Sequence, residues 1–500
     1  MKINGEDLSI SKEKKSKKTL LKIIITFLSI FIIFTLYEFF FIFKIKSDYD
    51  FNQEILENGQ KYEKSIYIKY KGKIYAYVYG VSYQLDDVDI GSFRVIDSMD
   101  YFDNYVAVDK KSVYFGNISI PDLNPNTLSV IGNNYYSDGI NSYFCLQFLK
   151  KNENLANKSK IRQYIEYYFF KGEKPQEYSY PFKKIETNNN LMAVKNLSYF
   201  ATDGEKVYYQ GEVLENADLN TLKSVDGYNE YFADKENVYY QSKLLPIKNS
   251  GKLIVVSGEQ GDEFLYDEAN GYVFIEDYSF DREKAPYKVI GNNGNHLYNL
   301  AFVNNEGIYY YDNQKKKQLR AGDNIFVGNV EELSPNVFMD NENIYYFHAY
   351  DVWKRRKHSG GRVLSSRNTE IYYLDKKDGW EKVKDIKSGT IGSIWKKGNK
   401  YYYFDNLGIF QLIDNAIYEI RDKETLEYLL NYNEGSGKIG EFIENEKLIK
   451  IEGEKKIEIR VKYTTFFLPF KISGLLAFIL GIVIAKVSHY YREKKNEKKF

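Results

Sequence analysis

One phrase recurs along this chain and limits what it can become: an aspartate, three residues, in most copies a β-former, then a tyrosine. It stands at Asp109 to Tyr114 (DKKSVY), Asp138 to Tyr143 (DGINSY), Asp203 to Tyr208 (DGEKVY), Asp234 to Tyr239 (DKENVY) and Asp340 to Tyr345 (DNENIY). Asp109 and Asp138 are 29 residues apart, Asp203 and Asp234 are 31 apart, and a period of that size is one supersecondary unit. The chemistry of the phrase is that of a turn. An aspartate at a strand end accepts from backbone N–H groups two residues on. Gly139 or Gly204, and in other copies Asn237 or Asn343, are expected to take the positive φ of a tight hairpin. The tyrosine segment then returns as the second strand. Asp109, Asp138, Asp203, Asp234 and Asp340 are therefore structural repeat-turn residues. Weaker copies follow at Asn304 to Asp312, Glu370 to Asp375 and Asn399 to Asp405, with Asn304, Arg367 and Lys397 in the aspartate position.

Composition agrees with strands. Tyrosines number 49 and phenylalanines 33 against only 8 prolines, and aromatic residues fit the pleated surface of a sheet. A second element, Asp122-Leu123-Asn124-Pro125-Asn126-Thr127-Leu128, returns as Asp218-Leu219-Asn220-Thr221-Leu222 and, more loosely, at Asp89 to Phe93. Asp122, Asn124 and Asn126 imitate half a calcium loop, but Thr127 replaces its glycine and Asn133 its closing glutamate, so the element reads as an Asx-capped connection. The motif Asp-Lys-Glu-Asn-Val-Tyr-Tyr at Asp234 to Tyr240, preceded by Ala217 to Leu222, resembles the DKNYY family of bacterial repeat proteins, best over about residues 105–245. The resemblance implies a repeat architecture and supplies no catalytic residue.

Successive hairpins must bury their apolar faces on neighbours, around a ring or along a stack. The expected fold is mainly β, with repeated β-hairpins forming a β-propeller-like domain; a stacked β-solenoid is the alternative. The hairpins at Ile308 to Leu319 and Tyr401 to Leu412 look like parts of blades. Residues 150–190 read as an insertion with a short helix over Lys160 to Phe170. A second helix is expected at Lys423 to Asn431, and a last hairpin pairs Leu448 to Ile451 with Ile457 to Tyr463 across Glu452-Gly453.

The ends carry two apolar runs. Ile23 to Phe43 holds 21 residues broken by Glu38, enough at ~1.5 Å per residue to cross ~30 Å of hydrocarbon; residues 466–489 form the second. Lysine-rich tails over 1–22 and 490–500 flank them, and short basic flanks stay in the cytoplasm. The expected domains are thus a basic tail (1–22), a transmembrane helix (23–43), an extracytoplasmic β-repeat domain (44–465), a second transmembrane helix (466–489) and a basic tail (490–500). The corresponding location is the bacterial cytoplasmic membrane, both termini inside. Glu38 and Lys471 would then share the outer leaflet.

The charge balance is +1, from 70 basic and 69 acidic residues, so no basic field exists to hold nucleic acid. Four scattered histidines and a lone Cys145 build neither a zinc cluster nor a disulfide framework; Cys145 reads as a small buried hydrophobe. No cofactor is expected. No G-x-S-x-G, H-E-x-x-H or P-loop is present, and no acidic pair is singled out by spacing as acid and nucleophile. The expected function is a membrane-anchored, non-enzymatic binding or scaffold surface at the cell envelope, taking an envelope protein or a glycan, its binding residues unknown. The alternative is an envelope enzyme acting on glycans or peptides.

Overall fold

The computed structural model describes residues 42–463 and scattered positions in 25–40, except 97–103, 153–159, 171, 259–260, 293–296, 356–360, 409–412, 414 and 433. The described residues form ten antiparallel sheets. Nine follow one another along the chain: 60–84, 94–120, 129–185, 192–214, 223–248, 253–279, 288–322, 331–376 with 454–462, and 380–450. We call them the first to the ninth sheet. Each of the first seven has four strands and each of the last two has five. The tenth is a two-stranded ribbon of Lys150–Lys151 and Tyr178–Ser179 inside the insertion, which also holds the helix Lys160–Phe170. The insertion leaves and rejoins one sheet, because Phe182–Ile185 returns to pair with Ser142–Cys145.

The repeated phrase is the central hairpin of such a sheet. In the fifth sheet Tyr231–Ala233 pairs with Asn237–Tyr240, and two outer strands, Lys223–Ser224 and Lys243–Lys248, flank them. Alternating side chains send one row toward the sheet after it. Val238 and Leu245 share a core with Leu265 and Phe274 of the sixth sheet, whose Phe264 and Val273 share the next core with Phe302 of the seventh. This is why the chain needs so many tyrosines: the ring fills the layer between sheets while the hydroxyl reaches a polar partner at the layer's rim. Tyr67, with a ring that is fully buried, donates to the carbonyls of Tyr105 (2.6 Å) and Gly116 (2.9 Å) in the second sheet. Cys145 is a buried free thiol in the same core.

The chain divides into two compact units at residues 212 and 213. In the first unit, residues 42–58 are helical and cover the outer face of the first sheet, with Ile55 packed on Ile68, Tyr70 and Tyr75 and Asn52 accepting from the Ser82 N–H at 2.9 Å. In the second unit, helices Lys423–Leu430 and Gly437–Glu444 cover the ninth sheet, burying Leu429 and Ile439 against Tyr403 and Tyr418. Capping helices of this kind give a row of repeats a polar end.

Several expectations are corrected. Every sheet but the eighth is built from one stretch of sequence, with the two-stranded ribbon nested inside the third, and among the described residues none joins the first strands of the chain to the last. Among the described residues no closed barrel or propeller is formed, which corrects the expected propeller-like ring. The expected terminal hairpin is split: Leu448–Lys450 pairs with Ile417–Ile420 of the ninth sheet, while Glu454–Lys462 pairs with Arg362–Lys376 of the eighth. Asn237 and Asn343 do not take positive φ. That conformation falls instead at the following turn, on Gln210, Gly211 and Gln241, as well as on Gly139 and Gly204.

Among the described residues, no helix is long and apolar enough to cross a membrane. This overturns the expectation of two transmembrane helices, and with it the membrane partner and the placement at the cytoplasmic membrane with both termini inside. Of the two spans, 466–489 lies outside the described residues, as does most of 23–43, including Glu38, and Lys471.

Candidate functional site

The repeat aspartates sit at the start of the central turn and are consumed by it. In Asp109, Oδ1 accepts from the backbone N–H groups of Lys111 and Ser112 at 2.7 Å each, and Oδ2 from the N–H of Asp89 (2.6 Å) and the hydroxyl of Tyr114 (3.1 Å). Asp203 and Asp234 repeat the plan. The first binds the N–H groups of Glu205 and Lys206, the Thr187 hydroxyl and Tyr208; the second binds the N–H groups of Glu236, Asn237 and Asp218, and Tyr239. The spacing of the phrase follows from this geometry: the tyrosine five residues on returns its hydroxyl to the carboxylate that opened the turn. Asp138 and Asp340 keep the turn bonds and the tether to an upstream loop, at Asn124 and Val327. Their tyrosines go elsewhere, Tyr143 to Asp122 and Tyr345 to the Ile325 carbonyl.

Burial alone would push these carboxyls up, but the converging N–H donors outweigh it. Asp109, Asp138 and Asp234 are held below the usual range and Asp203 lies at about 2. Burial, then the facing carboxylate, pushes Tyr114 up to about 12; in Tyr208 the cause after burial is its hydrogen bond to Asp203, with the same result. Residues outside the phrase take the same seat. Asn304 accepts from the N–H groups of Glu306 and Gly307, Asp267 from Ala269, Asp312 from Gln314 and Lys315, and Asp405 from Leu407 and Gly408. Sequence reading passes over the last three: no tyrosine stands five residues after Asp312 or Asp405, and although Tyr272 stands five after Asp267, Gly271 replaces the β-former before it. Arg367 and Lys397, by contrast, lie within or at the end of long strands.

The calcium-like residues are engaged too: Asp122 binds Tyr143 and Lys184, and Asn124 caps Asn126. Among the described residues no group of histidine, cysteine or acidic side chains is arranged to hold a metal.

The eighth sheet departs from the plan. Its central hairpin turns at Asp340 like any other, pairing Val337–Met339 with the start of Asn343–Arg355, but that strand runs on to 13 residues and forms a second, longer hairpin with the 15-residue Arg362–Lys376. Elsewhere in the first seven sheets no described strand exceeds 6 residues. Both long strands have an outer edge. That of Arg362–Lys376 is filled by Glu454–Lys462, paired from Tyr373↔Glu454 to Ser366↔Lys462. That of Asn343–Arg355 is filled only at its start, by Val337–Met339, ending at Val337↔Tyr346.

The direction of the next backbone groups is fixed by one bond: the N–H of Phe347 points outward to the Asn336 carbonyl at 2.8 Å. Alternation along an antiparallel strand then turns Ala349, Asp351 and Trp353 outward as well. Among the described residues no strand pairs with that edge. The bulge at Val352/Trp353 places its extra residue, Ser365, in the second strand, so the open edge keeps its alternation.

Two polar clusters hold this extension rigid. On one face Glu370, 3% exposed, accepts from Tyr372 (2.6 Å), Lys455 (3.0 Å) and Tyr350 (3.1 Å). Asn368 donates to Tyr350 and accepts from Ser366, and His348 stacks on Tyr350. Burial opposes ionisation of Glu370, but its three donors prevail and its carboxyl stays below the usual range. On the other face the Arg367 guanidinium pairs with Asp351 at 3.2 Å and lies 4.9 Å from the Tyr298 ring and 5.8 Å from that of Tyr463.

At the far end charge accumulates. Arg355 stands directly across from Arg362, with Lys354 beside it. Among the described residues none of the three has an acidic partner. Like charges opposite one another on a ladder are unfavourable. The sequence carried a signal for this hairpin that the repeat phrase masks: two strand-forming runs, Tyr345 to Trp353 and Val363 to Leu374, joined through Ser359-Gly360-Gly361.

Fold and turn chemistry together define a protein of tandem antiparallel sheets of four or five strands, most of them with a turn closed by a carboxylate. Residues 67–243, a segment of the chain that takes in most of the first sheet, all of the second to fourth and most of the fifth, match the DKNYY family. No curated protein and no solved structure gives a significant match. The extended hairpin lies outside the matched segment.

Proposed function

We propose that the chain is a polypeptide-binding module and not an enzyme, and that it binds an extended segment by strand addition at the edge Phe347 to Trp353. This reading replaces the membrane-anchored one, which the absence of a membrane-crossing helix among the described residues overturned. The observation that carries it is the outward row of N–H and C=O groups at Ala349, Asp351 and Trp353, without a strand partner among the described residues. An open edge of this kind is a template for a further strand. The same hairpin already accepts one on its opposite edge, where Glu454–Lys462 adds from far downstream in the chain. At ~3.3 Å per residue, seven residues offer about 23 Å of edge. Neither the repeat turns nor the extended hairpin offers a free carboxylate for catalysis: those of the repeat turns are taken up by backbone and hydroxyl donors, and Glu370 by two tyrosines and a lysine.

The test is selection of short random peptides on the full chain and on a Trp353→Pro variant. Proline is tolerated on an edge where the N–H it removes faces outward, so the variant should melt within ~2 °C of the parent. Peptides that bind the parent and not the variant are expected. Recovery of none, or equal binding to both, would refute strand addition, and a hydrolytic or transfer activity abolished by Glu370→Gln would refute the non-enzymatic reading.

A further inference from the structure

The end of the open edge is positively charged and, among the described residues, unneutralised. Arg355 and Arg362 face each other across the ladder, Lys354 adjoins them, and the filled edge ends in Lys462. The acidic side chain of the open strand, Asp351, is committed to Arg367. A sheet does not hold like charges opposite one another without cost, and an anionic partner would remove that cost on binding. Trp353, 52% exposed, stands beside the cations as an apolar anchor; large aromatic side chains are favoured as anchors in recognition surfaces.

We infer that the segment taken up at Phe347 to Trp353 is an acidic polypeptide, its carboxylates lying against Lys354, Arg355 and Arg362. The inference rests on strand addition as the mode of binding. A second copy of this chain fits the edge poorly: antiparallel self-pairing centred on Asp351 sets Asp351 against Asp351 and His348 against Lys354. A nucleic acid is disfavoured by geometry, because the available groups are a ladder edge with alternating donors and acceptors, whereas a phosphate backbone presents acceptors alone.

The experiment uses fluorescein-labelled peptides of about eight residues and the full chain, read by fluorescence anisotropy. Four probes are compared: glutamate alternating with valine or threonine; the same peptide with glutamine for glutamate; the acidic peptide N-methylated at every second residue, which removes its ladder donors; and a single-stranded oligonucleotide of similar length. The expected result is binding of the acidic peptide, about tenfold weaker binding of the glutamine peptide, and loss with the N-methylated one. A triple variant, Lys354→Gln, Arg355→Gln and Arg362→Gln, should lower the affinity for the acidic peptide to that for its neutral counterpart while leaving the latter unchanged.

Equal binding of acidic and neutral peptides, with loss on N-methylation, would overturn the acidic preference and leave strand addition standing. Equal binding of the acidic and the N-methylated peptide would overturn strand addition. Tighter binding of the oligonucleotide than of any peptide would overturn the polypeptide partner, and binding of none would overturn both readings.

Discussion

Removing one repeat carboxylate should cost far more than a surface turn residue ordinarily does. Asp234 is 1% exposed and gathers donors from two places: the turn N–H groups of Glu236 (2.7 Å) and Asn237 (2.6 Å) on Oδ1, and the N–H of Asp218 (3.0 Å), the Asn237 amide (3.2 Å) and Tyr239 (3.3 Å) on Oδ2. In Asp234→Ala the turn N–H groups regain water, because Lys235 and Glu236 are exposed, so their loss is close to the net worth of one charged hydrogen bond, ~2 kcal/mol. The Asp218 tether is half-buried and adds ~1–2 kcal/mol. Tyr239 keeps its bond to the Glu215 carbonyl at 2.9 Å and adds little. The total is about 3–4 kcal/mol, or roughly 10 °C for a unit of this size. Asp234→Asn keeps an acceptor for the turn and turns an amide donor toward the Asp218 N–H, so it should cost about half as much, and Tyr239→Phe about 1 kcal/mol. Urea unfolding of the full chain measures the series, and hydrogen exchange at the Asn237 and Asp218 amides locates it. An alanine variant costing under ~1 kcal/mol, or Asn equal to Ala, would refute the division of the carboxylate into a turn half and a tether half.

Two further outcomes concern pH. Asp109, Asp138, Asp203 and Asp234 have folded values below the unfolded value of ~3.9, with Asp203 at about 2. The stability they supply is therefore fully present above pH ~4 and is lost as pH falls through the folded values; Asp203→Asn should shift the acid midpoint upward and flatten that limb, and an unchanged limb would contradict the assignment. Glu332 lies the other way. Burial on the strand Glu331–Ser334, with no hydrogen-bond partner for Oε1, pushes it up to about 7, so its share of stability is present below pH ~4.3 and lost as pH rises through 7. Glu332→Gln should raise the melting temperature at pH 8 relative to the parent and leave it nearly unchanged at pH 5; destabilisation at pH 8 would show that the carboxylate has an ionic partner.

What could be read from the sequence is what the chain settles locally. Asp234 and Tyr239 lie five residues apart and meet across a single turn, so their spacing records a contact. The same holds for the helix at Lys423–Leu430, where Asp422 caps the N–H of Thr425. Misreadings arose where two partners compete. Leu448–Lys450 and Glu454–Lys462 alternate well enough to pair with each other, yet each finds a longer or more buried strand elsewhere, Glu454–Lys462 on a strand some 85 residues upstream by the Lys455 to Glu370 bond. Arg367 occupies the aspartate position of a decayed phrase and is a strand residue clasped between tyrosines. The ring was expected because successive hairpins must bury their faces on neighbours; the phrase accounts for only two strands of four, and the outer strands, such as Lys223–Ser224, are too short to register as a pattern.

Short outer strands also explain why the extended hairpin stands apart in function. Natural sheets blunt their edges by keeping them short, and two to six residues per outer strand does so through the first seven sheets. In the eighth, the turn at Asp340 is ordinary and the departure begins only after Phe347, where the hairpin outruns the short strand Val337–Met339 that should cover it. Such an extension would fray unless held. Glu370 ties three strands together through Tyr350, Tyr372 and Lys455 on one face, while Arg367 is gripped by Asp351, Tyr298 and Tyr463 on the other. The first cluster buries the Glu370 carboxylate, which is costly unless fully satisfied, the second partly covers the Arg367 and Asp351 charges, and both lie along the length of strand left open at its edge. A rigid, uncovered edge loses little conformational entropy when a strand joins it, and that is the physical basis for placing recognition here and not on the repeat turns, whose polar groups are already spent.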